Sequence, residues 1–223
     1  MTAPGGRGDT AAIAASGANA PASSEGVVTG NTFDKYGSSN PAVQRLMAGF
    51  ERTLDELFAA AAPESLLDVG CGEGVLTHRW AQRLGDRRVV GIDLDDPKLR
   101  AEWEQRSAPN LEYRAVNAKA LPFADREFDV ATAIEVLEHL PDAEHTLSEM
   151  ARCTRGHLIV SVPREPLWRA LNMARGAYLR NAGNTPGHLN HWSKRSFVRM
   201  VSRYGAVVQV RSPFPWTMLL VRR

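Results

Sequence analysis

Cysteine is scarce in this 223-residue chain, represented only by Cys71 and Cys153. The two form neither a disulfide framework nor a Cys-x-x-Cys pair, which excludes a stapled secreted scaffold and a thiolate zinc or dithiol redox centre. Long apolar runs are missing as well, and no stretch approaches the roughly 18 to 20 residues that span a bilayer. Neither sign of charge dominates: 27 Lys plus Arg against 25 Asp plus Glu leave +2, which argues against nucleic acid or an anionic membrane as an obligatory partner. No internal repeat is visible. A 43% hydrophobic and 23% charged composition excludes a wholly disordered, collagen-like or coiled-coil chain. What remains is a cytoplasmic enzyme or binding domain, long enough to bury a substantial core.

Residues 1–30 are rich in Ala, Gly, Ser, Thr and Pro, with Ile13 and Val27 as their only aliphatics before Val28. That is too little apolar surface to offset chain entropy, so a disordered tail is expected, followed by a single domain over 31–223. A secretory leader is not expected either, because Asp9, Ser16, Gly17 and Asn19 interrupt the segment. Asn40-Pro41 reads as a helix start, and Val43, Leu46, Met47, Phe50, Leu54, Leu57 and Phe58 then recur at helical spacing. Beyond it, short apolar strands at 65–69, 89–93, 111–116, 128–134 and 157–162 alternate with helices at 75–84, 97–106 and 142–153. That rhythm predicts a doubly wound α/β domain, a mostly parallel seven-stranded sheet with helices on both faces. After Pro163 the rhythm breaks. A helix over 165–180 and a Gly, Asn and Pro loop form an insertion at 163–192 that reads as a lid. The pattern resumes with a helix at 193–204 and strands at 206–211 and 216–221. Only Ser212 to Pro215 separate these last two strands, too short a link for a parallel crossover, so the last strand is antiparallel.

The segment Leu66-Leu67-Asp68-Val69-Gly70-Cys71-Gly72-Glu73-Gly74 runs from a strand through alternating glycines into a helix. Backbone there can approach a ligand closely, at the carboxyl end of a strand where such sheets bind. A dinucleotide fingerprint calls for a third Gly where this chain has Val75, so the spacing suits a nucleoside without a pyrophosphate. Asp93, ending the next strand, is placed to accept hydrogen bonds from a ribose diol.

On these residues the chain resembles class I methyltransferases dependent on S-adenosylmethionine, over nearly everything from Phe33 onward. The resemblance implies that Asp68, Gly70, Cys71 and Gly72 hold the methionine part of the cofactor, Asp93 its ribose and Leu94 one face of its adenine. It also places Asn117, where the family usually has Asp, and Ala118 at the adenine, and Ile134 and Glu135 near the sulfonium. Lys35-Tyr36-Gly37 falls where related enzymes fold a segment over the cofactor.

Glu135-Val136-Leu137-Glu138-His139 follows the fourth strand directly. One helical turn there would put both carboxylates and the imidazole on one side, and such donors suit Mg²⁺ or Mn²⁺ in an open site. Either His188 or His191, at the end of the insertion, could complete it. A blander reading has Glu135 contacting the cofactor or capping the turn, Glu138 solvated, and His139 a general base or packed. The Glu-x-x-Glu-His pattern resembles metal-dependent 2′-O-methyltransferases of small-RNA 3′ ends and O-methyltransferases of ubiquinone synthesis. That resemblance selects Glu135, Glu138, His139 and His188 as the ligand set. His139 and Glu138 are the candidate catalytic residues, since methyl transfer requires a nucleophile relieved of its proton.

Trp168, Leu171, Met173, Tyr178 and Trp192 supply a surface for a small-molecule acceptor, or simply pack on the sheet. Arg164, Arg169, Arg175 and Arg180 are assigned no role. The leading expectation is methyl transfer to a small-molecule hydroxyl. The rivals are RNA 3′-end methylation, a NAD(P)-dependent oxidoreductase and a non-catalytic cofactor-binding protein, with the oligomeric state left open.

Overall fold

The computed structural model describes residues 40–174 and 176–223, so the expected tail, the expected start of order near Phe33 and the Lys35-Tyr36-Gly37 segment lie outside the described residues. Helix α1 (Pro41–Ala61) begins as the Asn-Pro signal predicts, with the Asn40 side chain accepting from the Ala42 amide and Pro41 at the first helical position. The remaining order is β1 (Leu66–Val69), α2 (Val75–Leu84), β2 (Val89–Asp93), α3 (Pro97–Gln105), β3 (Leu111–Ala115), β4 (Phe128–Ile134), α4 (Ala143–Cys153) and β5 (Thr154–Pro163). The insertion holds α5 (Leu167–Ala174), and α6 (Lys194–Val201), β6 (Ala206–Arg211) and β7 (Trp216–Arg222) close the chain.

The seven strands pair in the order β3-β2-β1-β4-β5-β7-β6. All neighbours from β3 to β5 are parallel, and β7 runs antiparallel to both β5 and β6. The expected architecture is therefore the observed one. Reversing β7 puts its first residue, Trp216, opposite Pro163 at the carboxyl end of β5. The chain winds outward both ways from β1 and β4, so the carboxyl ends of those two strands flank the topological switch where open α/β sheets bind ligands.

Two cores sandwich the sheet. On one face Leu67, Val90, Ala131 and Leu158 meet Leu147 and Met150 of α4 and Phe197 and Val201 of α6. On the other, Leu66, Val89, Val130 and Ile159 meet Phe50 and Leu54 of α1 and Trp80 of α2, and Phe58 stacks on Trp80 at 5.2 Å. Strands buried on both sides explain why the sequence shows continuous apolar runs where a half-exposed sheet would alternate.

The insertion departs from expectation. In place of one helix over 165–180, α5 stops at Ala174, and a single 3₁₀ turn follows at Leu179–Asn181. Gly176 (φ +75°), Tyr178 (φ +54°) and Ala182 (φ +48°) take left-handed backbone that no helix continues through, and the chain turns back on α5. The buried Asn172 amide fastens this return by donating to Gly183 O (2.8 Å) and Thr185 Oγ1 (3.1 Å). The helix expected over 193–204 likewise ends at Val201 and tightens into a 3₁₀ turn at Ser202–Tyr204. β5 starts three residues before its expected start, with no loop between Cys153 and Thr154.

Candidate functional site

β1 ends where the glycines begin. Gly70 adopts φ +74°, and a Cβ there would come within 2.5 Å of Val136 Cγ2, so neither a side chain nor right-handed backbone fits. The Gly70 and Cys71 amides both donate to Ile92 O (2.8 and 3.0 Å), tying the loop to the end of β2. Asp93 then binds backbone with both oxygens, accepting from Gly72 N and from Leu94 N at 2.7 Å each. Burial pushes its carboxyl up, and these two amides oppose the shift. From outside the loop, Trp103 Nε1 donates to Gly72 O (2.7 Å) and Tyr113 Oη to Gly74 O (3.2 Å), with the two rings stacked at 5.2 Å. Sequence reasoning missed this aromatic brace, since neither Trp103 nor Tyr113 belongs to a recognisable motif.

Beneath the loop Asp68 is buried, and the hydroxyls of Thr77 and Thr132 each donate to it at 2.6 Å. Burial raises its pKa to about 6 against the pull of those two donors. Burial likewise pushes the Cys71 thiol well above its usual value, which keeps it protonated and unreactive.

All nine residues expected to hold the cofactor, Asp68, Gly70, Cys71, Gly72, Asp93, Leu94, Asn117, Ala118 and Ile134, line one cavity of about 680 Å³. Asn117 directs its Oδ1 to the Lys119 amide at 3.0 Å. The cavity runs on past β4 to Glu135, Glu138, His139 and His188.

The turn after β4 is not the single helical turn that the spacing suggests. Glu135 stands in left-handed backbone (φ +61°), and the 3₁₀ turn starts only at Leu137, so Glu135 does not share a helical side with Glu138 and His139. Its carboxylate is engaged elsewhere, accepting from Ser161 Oγ (2.9 Å) and Trp216 Nε1 (2.6 Å). Ligand-capable atoms of Glu138, His139 and His188, by contrast, lie within 4.8 Å of one another. Glu138 is buried at 2% exposure, not solvated, and His188 is buried at 8%. His139 Nδ1 lies 3.0 Å from Gly187 O. A carbonyl only accepts, so Nδ1 carries a proton toward it, and in the neutral imidazole the lone pair falls on Nε2.

The loop that brings in His188 is strapped to this turn. Leu189 N and Asn190 N both donate to Glu138 O (2.8 and 3.0 Å), and Asn190 Nδ2 donates to Leu137 O (3.1 Å) and Leu140 O (2.6 Å). His191 is exposed and faces Asn184 Oδ1 at 2.6 Å, outside the cluster. Nothing in the pattern singled out Asn190, whose role depends on a contact some fifty positions away in sequence.

Past the cluster the cavity is aromatic. Trp168 lies 5.8 Å from Trp216 between ring centroids, and Phe50 of α1 meets Trp216 edge-on at 4.8 Å. Leu171 and Tyr178 line this end as expected, but Met173 points to solvent at 42% exposure and Trp192 packs on Phe197. Trp216 and the α1 residues Leu46 and Met47 were read only as strand and core; the topology alone delivers them here.

Residues 42–209 match the family described as "Methyltransferase domain". A ubiquinone biosynthesis O-methyltransferase from Nitrosomonas europaea is 33% identical over 105 residues, covering 46% of this chain and 44% of that protein. The chain thus aligns with less than half the length of this curated relative. Among solved structures, magnesium protoporphyrin IX methyltransferase from Synechocystis with bound SAH superposes with a TM-score of 0.62 at 19% identity, covering 84% of this chain and 89% of that one. A SAM-dependent methyltransferase from Aquifex aeolicus gives 0.63 at 17% identity, covering 82% and 93%. At such identities the two structures speak for the fold.

Proposed function

This chain belongs to the methyltransferase-domain family, and from that premise we propose that it transfers a methyl group from S-adenosylmethionine to a hydroxyl oxygen of a small molecule. The observation that carries the reading is the continuity of one cavity from the Asp93-closed glycine loop to Glu138, His139 and His188. Donor and acceptor then meet at a group able to take a proton. When bound, S-adenosylmethionine would supply an electrophilic methyl on a cationic sulfur that leaves as a neutral thioether.

The chain's own task is alignment and proton removal. Gly70 and Gly72, both in left-handed backbone on the cavity surface, let backbone lie against the donor, and Asp93 offers the remaining lone pairs of its two oxygens to a diol. His139, with its proton fixed on Nδ1 by Gly187 O, presents Nε2 as the base for the acceptor hydroxyl. The Glu138, His139 and His188 trio also fits a divalent cation, two imidazoles and one carboxylate converging with two of the three residues buried, a donor set that suits Mn²⁺ or a softer first-row ion better than Mg²⁺. Such an ion would lower the pKa of a hydroxyl it touches. Glu135 is not among its ligands in this reading. The likeness to ubiquinone biosynthesis O-methyltransferases supports oxygen as the atom methylated.

Calorimetric titration with S-adenosylhomocysteine, followed by a screen of phenols, catechols and hydroxylated metabolites with and without EDTA, tests the proposal. Absence of S-adenosylhomocysteine binding alongside tight uptake of NAD(P)H would replace methyl transfer with the oxidoreductase reading.

A further inference from the structure

Glu135 is a residue in strained backbone whose purpose the proton chemistry above does not use. Left-handed φ in a non-glycine residue persists only where surrounding contacts hold it, and such residues concentrate at functional sites. Here the holding contacts reach three strands. Glu135 follows β4, its amide donates to Ser161 O (3.2 Å) and lies 3.1 Å from Ser161 Oγ on β5, and its carboxylate accepts from Trp216 Nε1 at the start of β7. Trp216 is in turn bracketed by Phe50 and Trp168 and is 3% exposed. A single carboxylate therefore fixes the rotation of the central indole in an aromatic wall.

The charge lining the same cavity is one-sided. Among the described residues, Lys119 is the sole Lys or Arg on its surface, and it sits beside Asn117 at the nucleoside end. Asp68, Glu73, Asp93, Glu135, Glu138 and Asp142 all line it. With no cation on the Glu138, His139 and His188 trio, a cationic donor is welcome in such a cavity, whereas an acceptor bearing phosphate or carboxylate meets like charge and no Lys or Arg at that end.

We propose that Glu135 is a positioning residue which, by pinning Trp216, makes the far end of the cavity a specificity filter for flat, uncharged aromatic hydroxyl compounds and against anionic ones. The inference builds on the methyl-transfer reading, and its test separates the two. Catechol and 3,4-dihydroxybenzoate, a pair differing by one carboxylate, serve as probes for the wild type, Glu135→Gln and Trp216→Phe. Calorimetry with S-adenosylhomocysteine and the indole N–H resonance of Trp216, assigned by its loss in Trp216→Phe, complete the set.

The wild type is expected to use catechol with kcat/KM at least about tenfold above the carboxylate, the penalty of an unpaired like charge. Trp216→Phe should raise the KM for catechol about 3- to 10-fold, the scale of one aromatic pair, with kcat and S-adenosylhomocysteine affinity within about twofold of wild type. Glu135→Gln keeps the shape and an acceptor oxygen but removes the charge. It should shift the Trp216 N–H resonance and narrow the preference for catechol to within about threefold. Equal or better use of 3,4-dihydroxybenzoate by the wild type, or turnover of neither probe by a chain that binds S-adenosylhomocysteine, overturns the acceptor class. An unmoved indole resonance in Glu135→Gln overturns the pinning. Failure of the wild type to bind S-adenosylhomocysteine overturns methyl transfer and with it the filter, while the resonance still reports whether Glu135 holds Trp216.

Discussion

Asp93 uses one carboxylate to lock two backbone amides, so its loss should be felt by the nucleoside more than by the chemistry. Asp93→Ala is expected to weaken S-adenosylhomocysteine binding about 10- to 100-fold, the scale of hydrogen bonds to a charged group. His139→Ala, measured beside it by calorimetry and by turnover, should bind within about twofold of wild type yet turn over at least about 100-fold more slowly. Asp68 makes a different kind of prediction. Its pKa in the fold, about 6, lies above the ordinary 3.8, so the folded state holds the proton more tightly than the unfolded chain. Its contribution to stability is complete below about pH 4 and is lost as pH rises through 6, an effect of up to about 3 kcal/mol. Urea unfolding at pH 4 and pH 7, without ligand, should show Asp68→Asn gaining on the wild type by that order as pH rises; parallel curves would refute it. Both aspartates were legible from their places at strand ends. Their partners were not: Thr77 and Thr132 come from α2 and β4, and no local spacing announces a hydroxyl that will cross to β1. Glu135 was legible as a carboxylate beside the site, but its left-handed backbone, which separates it from Glu138, is set by Ser161 and Trp216 far along the chain.

Elements whose role is to cover or build the sheet could be placed from the sequence, because burial on both faces imposes continuous apolar runs and the helices between them carry one apolar stripe each. The insertion resisted for the opposite reason. Its fold is decided by individual polar side chains, Asn172 on Gly183 O and Thr185 Oγ1 and Asn190 on Leu137 O and Leu140 O, rather than by a periodic pattern. Asn190 offers a clean test at this scale. Both of its partners are carbonyl oxygens, so Asn190→Asp, nearly identical in shape, sets a carboxylate oxygen against them and leaves them unsatisfied. A loss of about 1–3 kcal/mol in urea unfolding is expected, together with faster proteolytic cleavage within 165–190. An aspartate tolerated with neither change would mean that the strap is not what holds His188 beside the turn.

At the scale of the whole molecule, the end of the cavity proposed to take the donor draws on a compact stretch from Asp68 to Ala118, and the rest gathers α1, the turn after β4, the insertion and the last hairpin. That division explains why the first half of the site could be read directly and the second only in fragments. It also predicts how binding reports on folding. At a free S-adenosylhomocysteine concentration 100 times its Kd, the folded chain should gain about 2.7 kcal/mol, visible as a rise in Tm. Asp93→Ala at the same concentration should show a much smaller rise. The reversed final strand has a last consequence. Because β7 runs against its neighbours, the hairpin at Ser212–Pro215 opens onto the same rim as the loops that follow the parallel strands, with Phe214 and Pro215 on the cavity surface. This short tip hangs from the outermost pair of strands, remote in sequence from the Asp68 to Ala118 stretch that lines the other end of the cavity. Evolution, or a protein engineer, is thereby given a grafting point: on the proposed reading, exchanging the tip should change which molecules are admitted while the part of the cavity assigned to the methyl donor is inherited intact.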